Sequence, residues 1–388
     1  MGMAIHRSPL AIDRAAVNLA GTTSGVLRVG MNEAAKSLVP GWLARCKDGA
    51  VHLRKTVWRA GTMLAALALP LVPAHANDLV TGDLTDLQAS FDAQFGTDTR
   101  GPRTYSTPFE QQLVSLANAG RGRIGVAAMD LATGRSVDVL GDQRFPMAST
   151  SKIAIAATFL EGVDKGRWSL TSEFPLMVPV PSAPFSTPVA PVRAGQYLSA
   201  TQLIELMLTR SNNYATDALL KVVGGPQAVN EWVRRAGIED FHIDRDIATL
   251  VRDDGAIDPA QVIDKRDSAT PRAMVQLVSG LYRGAWLSDS SRSVLLGAMG
   301  RCLTGKHRIP AMMPAGVSVA HKTGSLNNTS SDVGIIQTPD GRAYAVAIYV
   351  TGQGGRPGRE ERIASIAKAI FDGYESEPSS GFRRTAAR

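Results

Sequence analysis

The chain has 388 residues, 44% hydrophobic and 20% charged, a composition typical of globular proteins that excludes a wholly disordered chain. Its formal net charge is +7, but residues 1–76 hold nine basic and three acidic residues, so the remainder carries only +1. A body so close to neutral excludes a nucleic-acid surface built on bulk charge, and we expect no nucleic-acid partner.

The first 76 residues have the pattern of a secretory leader. Basic residues between positions 54 and 59 precede the apolar run 60–72, and Ala74-His75-Ala76 supplies small residues at a cleavage site. A run of this length that contains Pro70 is too short to cross a hydrocarbon core of about 30 Å as a helix, so we expect no stable membrane anchor. We predict cleavage after Ala76 and export across the inner membrane, to the periplasm or the exterior.

The rest of the chain is predicted to hold a linker or arm at 77–108, one folded domain at 109–374 and a disordered tail at 375–388. The proline-rich segment 174–191 and the charged segment 241–267 are predicted to be loops, because prolines break regular elements and the second segment lacks periodicity. Hydrophobic periodicity predicts helices at 109–119, 149–163, 201–209, 215–223, 227–236, 271–283, 289–299 and 359–374, and strands at 123–131, 136–140, 317–323, 331–337 and 343–350.

Strands at both ends of this domain, with helices between them, predict a single α/β domain whose terminal segments share one sheet. Only one cysteine, Cys302, follows the predicted cleavage site, because the other is Cys46 in the leader, so no internal disulfide is expected. The few histidines have no metal-ligand spacing, and we expect no metal and no cofactor.

The first motif with chemical meaning is Ser149-Thr150-Ser151-Lys152, an S-x-x-K sequence at the start of a predicted helix. A spacing of three places Ser149 and Lys152 on one helix face. A serine hydroxyl is a poor nucleophile until a neighbour takes its proton, and a desolvated lysine can do so. The motif alone is weak, because residues 365–368 also fit it as part of an ordinary solvated helix face.

Two further motifs follow in order. Ser211-Asn212-Asn213 is an S-x-N sequence between two predicted helices, and Lys322-Thr323-Gly324 is the only K-T-G in the chain. The K-T-G follows a predicted strand, where Gly324 would let a ligand approach the backbone. Each motif alone has an ordinary structural explanation, but the ordered set is that of class A β-lactamases and penicillin-binding proteins.

With this set, the chain resembles the class A β-lactamase family, within the penicillin-binding and serine β-lactamase-like superfamily, across about residues 109–374. The resemblance implies an α/β fold, an α+β sandwich in which an antiparallel sheet formed by the N- and C-terminal segments accompanies an all-helical subdomain. It also implies a monomeric active-site-serine hydrolase that acts on C–N amide bonds. Its small-molecule substrates would be β-lactams or peptidoglycan stem-peptide-like, D-Ala-D-Ala-like amides.

The resemblance assigns the chemical step to three residues. Ser149 would be the acylated nucleophile, Lys152 a general base, and Ser211 a relay that passes a proton to the leaving nitrogen. The backbone N–H groups of Ser149 and Ser325 would form the oxyanion hole, where each donor is worth about 3–4 kcal/mol.

The resemblance also assigns substrate binding. Asn213 would hold the acyl-side amide of the substrate and contact Lys152, while Lys322 and Thr323 would bind the substrate carboxylate. No arginine follows Gly324 before Arg342, so the arginine that often assists carboxylate binding is expected among Arg356, Arg359 and Arg362.

The chain departs from the family in the Ω loop, whose closing ion pair we assign to Arg245 and Asp267. Counting from Arg245, the position of the deacylating glutamate falls on Ile247 and that of its asparagine neighbour on Val251. Both side chains are apolar and cannot activate water. We therefore expect an acyl-enzyme that forms and then persists, because deacylation needs its own general base.

Two alternatives stay open. An efficient class A β-lactamase would need a relocated carboxylate, for which the Ω loop offers Asp246, Asp253, Asp254 and Asp258. A non-enzymatic protein would be a covalent β-lactam sensor or binding module, in which acylation itself is the signal.

Overall fold

The structure is a computed structural model that describes residues 104–376. The predicted leader, its cleavage site, most of the arm 77–108 and the end of the tail lie outside the described residues. The α-helices of the described part are α1 Pro108–Ala117, α2 Lys152–Asp164, α3 Ala200–Thr209, α4 Asn213–Val223, α5 Gly225–Arg235, α6 Ile247–Arg252, α7 Pro271–Arg283, α8 Asp289–Gly300 and α9 Arg356–Ser376. Short 3₁₀ turns occupy Ala148–Ser151 and Ile309–Met312.

The strands of the described residues form one large sheet and two small ones. The large sheet has the order β2-β1-β10-β9-β8 with every neighbouring pair antiparallel, so the first two strands of the domain lie beside the last three. The strands are β1 Ile124–Asp130, β2 Ser136–Val139, β3 Phe145–Pro146, β4 Glu173–Pro179, β5 Val192–Ser199, β6 Phe241–His242, β7 Ser268–Ala269, β8 Ser318–Leu326, β9 Thr329–Gln337 and β10 Ala343–Thr351.

Both faces of the large sheet are covered, which explains why every residue of β10 is buried. Val346 and Ile348 pack in one apolar cluster with α1 and α9, whereas Ala347 and Tyr349 point to the other face and join the helical layer. Alternation with a period of two therefore divides one apolar strand between two cores. The predicted α/β fold, with its antiparallel sheet of terminal segments and its helical subdomain, is confirmed.

Helix α2 runs through the middle of the helical layer. Ten of its thirteen residues are buried, among them Ile153, Ile155 and Phe159, and such all-round burial is typical of a central helix. The helix starts at Lys152, directly after the 3₁₀ turn that carries Ser149. The core of the protein therefore fixes the S-x-x-K motif in place.

The terminal helices differ slightly from the predicted bounds: α1 starts one residue earlier and ends two residues earlier than predicted, and α9 is longer at both ends. Helix α1 starts at Pro108 because Thr107 and Glu110 form a capping box and proline suits the first turn. Helix α9 ends at Ser376, two residues inside the predicted tail.

The prediction that 174–191 is entirely a loop was wrong for its first part. Residues up to Pro179 form β4, which pairs with β5 in a two-stranded ribbon with a register shift between Pro175 and Met177. Each strand of such a ribbon has one unpaired edge, where a proline without an N–H group is tolerated. The remaining loop, 180–191, is held by the Thr249 hydroxyl, which accepts the Ala190 N–H at 2.8 Å.

The prediction that 241–267 is a loop throughout was also wrong, because the segment contains α6 and the short strand β6. The side chain of Asp246 caps α6 by accepting the Thr249 N–H at 2.7 Å, a favourable N-cap arrangement. A helix of six residues is too short to show a periodic pattern in the sequence.

An ion pair closes this segment. The Nε atom of Arg245 lies 2.6 Å from Oδ2 of Asp267, and Oδ1 of Asp267 accepts the N–H groups of Asp244 at 2.9 Å and Arg245 at 3.1 Å. Asp267 is only 4% exposed. One buried carboxylate therefore satisfies three donors and joins the two ends of the loop.

Replacing Asp267 by alanine should lower the free energy of unfolding by about 3–5 kcal/mol, because a half-buried arginine and two backbone N–H groups lose their acceptor. Urea denaturation measures this difference. The matched control is Asp264→Ala in the same loop, whose partner Arg266 is 47% exposed. The Asp264→Ala substitution should lower the free energy of unfolding by less than about 1 kcal/mol. Equal losses in the two variants would contradict the structural role of Asp267.

Candidate active site

The three sequence motifs meet where α2, the α3–α4 loop and β8 come together. The Nζ atom of Lys152 lies 2.7 Å from the Ser211 carbonyl oxygen, 3.2 Å from Ser211 Oγ and 2.7 Å from Asn213 Oδ1. From the opposite side, Nζ of Lys322 lies 3.0 Å from Ser211 Oγ. The Ser211 hydroxyl therefore lies between two lysine nitrogens, and the first of these lysines follows half-buried Ser149 by three residues.

Two residues of the site have backbone conformations that are uncommon outside glycine. Ala148, directly before Ser149, has φ 48°, and Ser211 has φ 57°. Such left-handed residues persist where the surroundings hold them, and they cluster at functional sites. The bond from Lys152 to the Ser211 carbonyl is one such restraint. The next residue, Asn212, caps α4 by accepting the Ala215 N–H at 2.9 Å, a task that asparagine and aspartate perform equally well.

The two lysines are both fully buried, and burial lowers the pKa of each. Burial, reinforced by the charge of Lys322, holds the pKa of Lys152 well below its usual value, while Asp217 opposes the shift. Burial also lowers the pKa of Lys322, to about 8. Lys322 therefore remains mostly an ammonium at neutral pH and can bind an anion, while the lowered pKa of Lys152 reduces the cost of the neutral amine that can accept a proton.

Gly324 allows β8 to approach the turn that carries Ser149. A Cβ atom at this position would lie 2.6 Å from the carbonyl oxygen of Met147. We expected this glycine to make room for a ligand, but the close neighbour in the structure is the chain's own turn. The contact places the K-T-G strand directly against the residue that precedes Ala148.

The arginine nearest to the K-T-G motif is Arg308, which sequence analysis did not assign. Its fully buried guanidinium donates to Ser325 Oγ at 2.7 Å and to the Gly324 carbonyl at 2.8 Å. The three α9 arginines that were expected to supply this group all contact other parts of the protein. These contacts are Arg356 with Glu360, Arg359 with Ser330 Oγ and the Gly354 carbonyl, and Arg362 with the Leu116 carbonyl.

The two residues on which the sequence analysis expected the deacylation machinery to fall are apolar and lie on α6. Ile247 is 4% exposed at the start of α6, and Val251 is 49% exposed on the same helix. Neither side chain carries a group that can activate water.

The four candidate carboxylates of the Ω loop all accept hydrogen bonds from the protein itself. Their partners are the Thr249 N–H for Asp246, the Arg252 guanidinium and Phe185 N–H for Asp253, the Asn327 N–H for Asp254, and the Asn328 side chain and Ala260 N–H for Asp258.

A fifth carboxylate, Asp217, was missed by sequence analysis. It lies on α4 four residues after Asn213, on the same helix face, and accepts the N–H groups of Ile247 at 2.7 Å and Ala248 at 2.9 Å. Burial raises the pKa of Asp217 to about 7, and the charge of Asp246 adds to this effect, while the two N–H bonds oppose it. The i, i+4 spacing from Asn213 is the sequence signal that could have revealed it.

Residues 104–376 contain no group of three or more His, Cys, Asp or Glu side chains placed to hold a metal ion. Within the same described range, no helix is both long and apolar enough to cross a membrane.

Comparison of the sequence with known families and proteins gives a consistent result. A sequence model of the β-lactamase enzyme family matches residues 108–374. Beta-lactamase CTX-M-8 of Citrobacter amalonaticus is 30% identical over 270 residues, which are 68% of this chain and 89% of that protein. Beta-lactamase OXY-1 of Klebsiella oxytoca is 27% identical over 321 residues, 82% of this chain and 99% of that protein.

Solved structures agree with this result. A β-lactamase from Chitinophaga pinensis matches with a TM-score of 0.60 and 28% identity, covering 69% of this chain and all of that one. A mutant of the class A β-lactamase of the last common ancestor of Gram-negative bacteria matches with a TM-score of 0.60 and 31% identity, covering 69% of this chain and 99% of that one. On the family match, the shared fold and the motifs that meet in one site, the chain belongs to the class A β-lactamase family of serine hydrolases.

Proposed function

We propose that this protein is an exported serine hydrolase that is acylated by β-lactams, or by amides and esters shaped like D-Ala-D-Ala ends, and that releases the acyl group slowly. The observation that carries the proposal is the combination of two features. Two buried lysine nitrogens flank Ser211 Oγ, and Ile247, on which the position of the deacylating base falls when counted from Arg245, is apolar and buried.

Acylation starts with attack by Ser149 Oγ on the substrate carbonyl. Lys152, whose pKa is lowered by burial, takes the hydroxyl proton in its neutral form, and Ser211 passes a proton to the leaving nitrogen. The N–H groups of Ser149 and Ser325 stabilise the oxyanion. Ser211 suits the relay because its hydroxyl lies within hydrogen-bond distance of both lysine nitrogens.

Substrate binding uses the other groups of the site. Lys322 and Thr323 bind the substrate carboxylate. Arg308 positions Ser325 by donating a hydrogen bond to Ser325 Oγ. Because Oδ1 of Asn213 faces Lys152, the amide nitrogen of Asn213 is the atom that can donate to the acyl side of the substrate.

Slow deacylation is supported by the surroundings of the carboxylates. A water molecule that attacks the ester needs a base that is positioned to accept its proton. The Ω-loop carboxylates are engaged as helix caps, ion-pair partners and acceptors of backbone N–H groups. These engagements support a persistent acyl-enzyme.

A second candidate is an efficient β-lactamase with a relocated base, and one observation favours it. Asp217 is buried, has a pKa of about 7 and interacts electrostatically with Lys152. A carboxyl group with a pKa near the working pH suits general-base catalysis. Both of its oxygens, however, already accept N–H groups of α6.

When the full chain is mixed with a chromogenic cephalosporin, a fast phase should open about one molecule of substrate per molecule of protein, and a slow phase should follow. The mass of the protein should increase by that of the acyl group and stay raised for minutes to hours. Intact-mass spectrometry measures the adduct, and Ser149→Ala should show neither the adduct nor the fast phase. Rapid repeated turnover without a trapped adduct would support the second candidate. No adduct and no turnover would refute acylation by β-lactams.

Acylation should depend on pH through Lys322. Its ammonium is present below its pKa of about 8 and is lost above it, so the second-order acylation constant for a carboxylate-bearing β-lactam should fall about tenfold per pH unit above pH 8. Stopped-flow measurement between pH 6 and 10 gives the profile. A β-lactam whose carboxylate is esterified is the control and should lack this alkaline fall. A flat profile up to pH 10 for the carboxylate substrate would contradict the assignment.

The two carboxylates near α6 can be compared by matched variants. Asp246→Asn should leave the lifetime of the acyl-enzyme unchanged, because asparagine preserves the helix cap. Asp217→Asn should also leave it unchanged if deacylation has no dedicated base. A lifetime prolonged by about 100-fold or more in either variant would identify that carboxylate as the base and favour the second candidate. The decay of the mass adduct after removal of free substrate measures the lifetime.

A further inference from the structure

A second cluster of reactive side chains lies directly behind the K-T-G motif and has no part in the proposed function. Cys302 follows α8, His321 precedes Lys322 on β8, and Asp332 lies on the neighbouring strand β9. We call these three residues the thiol cluster. In the part of the chain that the structure describes, Cys302 is a free cysteine and partly exposed.

The thiol cluster is ordered by hydrogen bonds. Nδ1 of His321 lies 2.8 Å and 2.9 Å from the two carboxylate oxygens of Asp332, which is fully buried. His321 and Cys302 line the same cavity, and the imidazole acts electrostatically on the thiol. Because Asp332 occupies Nδ1, the other ring nitrogen, Nε2, is the one that can interact with the sulfur. A carboxylate thus orients an imidazole beside a thiol, the arrangement that activates cysteine nucleophiles.

The charges of this cluster favour the thiolate. Burial opposes ionisation of Cys302, but the neighbouring His321, with help from Thr304 and Lys322, lowers the pKa of the thiol to about 7. Burial likewise opposes the charge of His321, but Asp332 and Cys302 raise its pKa to about 10. At neutral pH an imidazolium therefore faces a sulfur that is about half ionised.

A cavity gives small molecules access to the cluster. Its volume is about 280 Å³, and its lining includes Cys302, Thr304 and His321 together with the Lys306 side chain. This volume is just below that of typical small-ligand pockets and accommodates a compact reagent. The lysine at its wall suits a reagent that carries a carboxylate.

One side chain connects the sulfur to the K-T-G motif. The Cys302 sulfur lies 3.3 Å from Thr304 Oγ1, which lies 2.7 Å from Thr323 Oγ1. A group attached to the sulfur would lie against Thr304, which lines the same cavity. A shift of Thr304 away from β8 would remove a hydrogen bond from the residue proposed to bind the substrate carboxylate.

We propose that Cys302 is a reversible modification site that reacts with low-molecular-weight, carboxylate-bearing disulfides, and that the resulting mixed disulfide weakens substrate binding at Lys322 and Thr323. The second half rests on the proposed function. In the reaction, the Cys302 thiolate attacks one sulfur of the reagent, the S–S bond of the reagent breaks, and its other half leaves as a thiolate. A free thiol reverses the reaction by attacking the mixed disulfide.

The modification is tested on the full chain with Cys46→Ser, in which Cys302 is the only cysteine. Oxidised glutathione should add one glutathionyl group, detected by intact mass and removed by dithiothreitol. Alkylation by iodoacetamide should have a pH midpoint near 7, and His321→Gln should move this midpoint above 8. Absence of the adduct, or a midpoint above 8.5 in the chain with native His321, overturns the proposal even if the His321 variant fails to fold.

The effect on the active site is tested on the same preparation. The glutathionylated chain should acylate with at least a tenfold higher apparent KM for a carboxylate-bearing cephalosporin and a maximal rate within about threefold of the unmodified chain. Dithiothreitol should restore the original KM, and a Cys302→Ser chain should not respond to the disulfide. An adduct that leaves KM unchanged overturns the coupling. If the unmodified chain does not acylate at all, the proposed function fails, while the adduct and its pH midpoint still decide the modification site.

Discussion

The arrangement of the site depends on the burial of one amine. Lys152 is fully enclosed, and an enclosed polar group is costly unless it finds hydrogen-bond partners. Its partners are the carbonyl and hydroxyl of Ser211 and the side chain of Asn213, which fix the α3–α4 loop against α2. Ser211 extends the connection to Lys322 on β8. The same contacts that satisfy the amine therefore join the helical layer to the sheet, while its enclosure lowers its proton affinity.

The Ω segment, residues 245–267, is held in place mainly by contacts of its backbone and by one ion pair. The ion pair Arg245–Asp267 joins its ends, and Asp217 binds the first two N–H groups of α6. The side chain of Ile247 is buried. The segment thus contributes to stability through its backbone contacts, and these contacts do not depend on which side chain occupies position 247.

Sequence reasoning succeeded where the determining signals are local. Helix α7 has the predicted bounds because Thr270 caps its start, proline fills its first turn and Gly284 ends it with a positive φ. The family could be identified in the same way, because each of its three motifs is a short local run of residues. Strand β4 was missed because an edge position tolerates prolines, and Arg308 was missed because its place depends on a contact with β8 that no spacing in the sequence reveals. Tertiary contacts decide such cases, and a single sequence does not display them.

The docking of the 180–191 loop onto α6 has a consequence for evolution. Thr249 binds the Ala190 N–H, Asp253 binds the Phe185 N–H, and Arg252 binds the Thr187 hydroxyl, so the two surface segments share their hydrogen bonds. A substitution of Thr249 or Asp253 leaves a backbone N–H group of the loop without its acceptor, and a loop with a different course leaves Arg252 without its Thr187 partner. A single change in either segment therefore carries a cost in folding unless a second substitution restores the lost hydrogen bond.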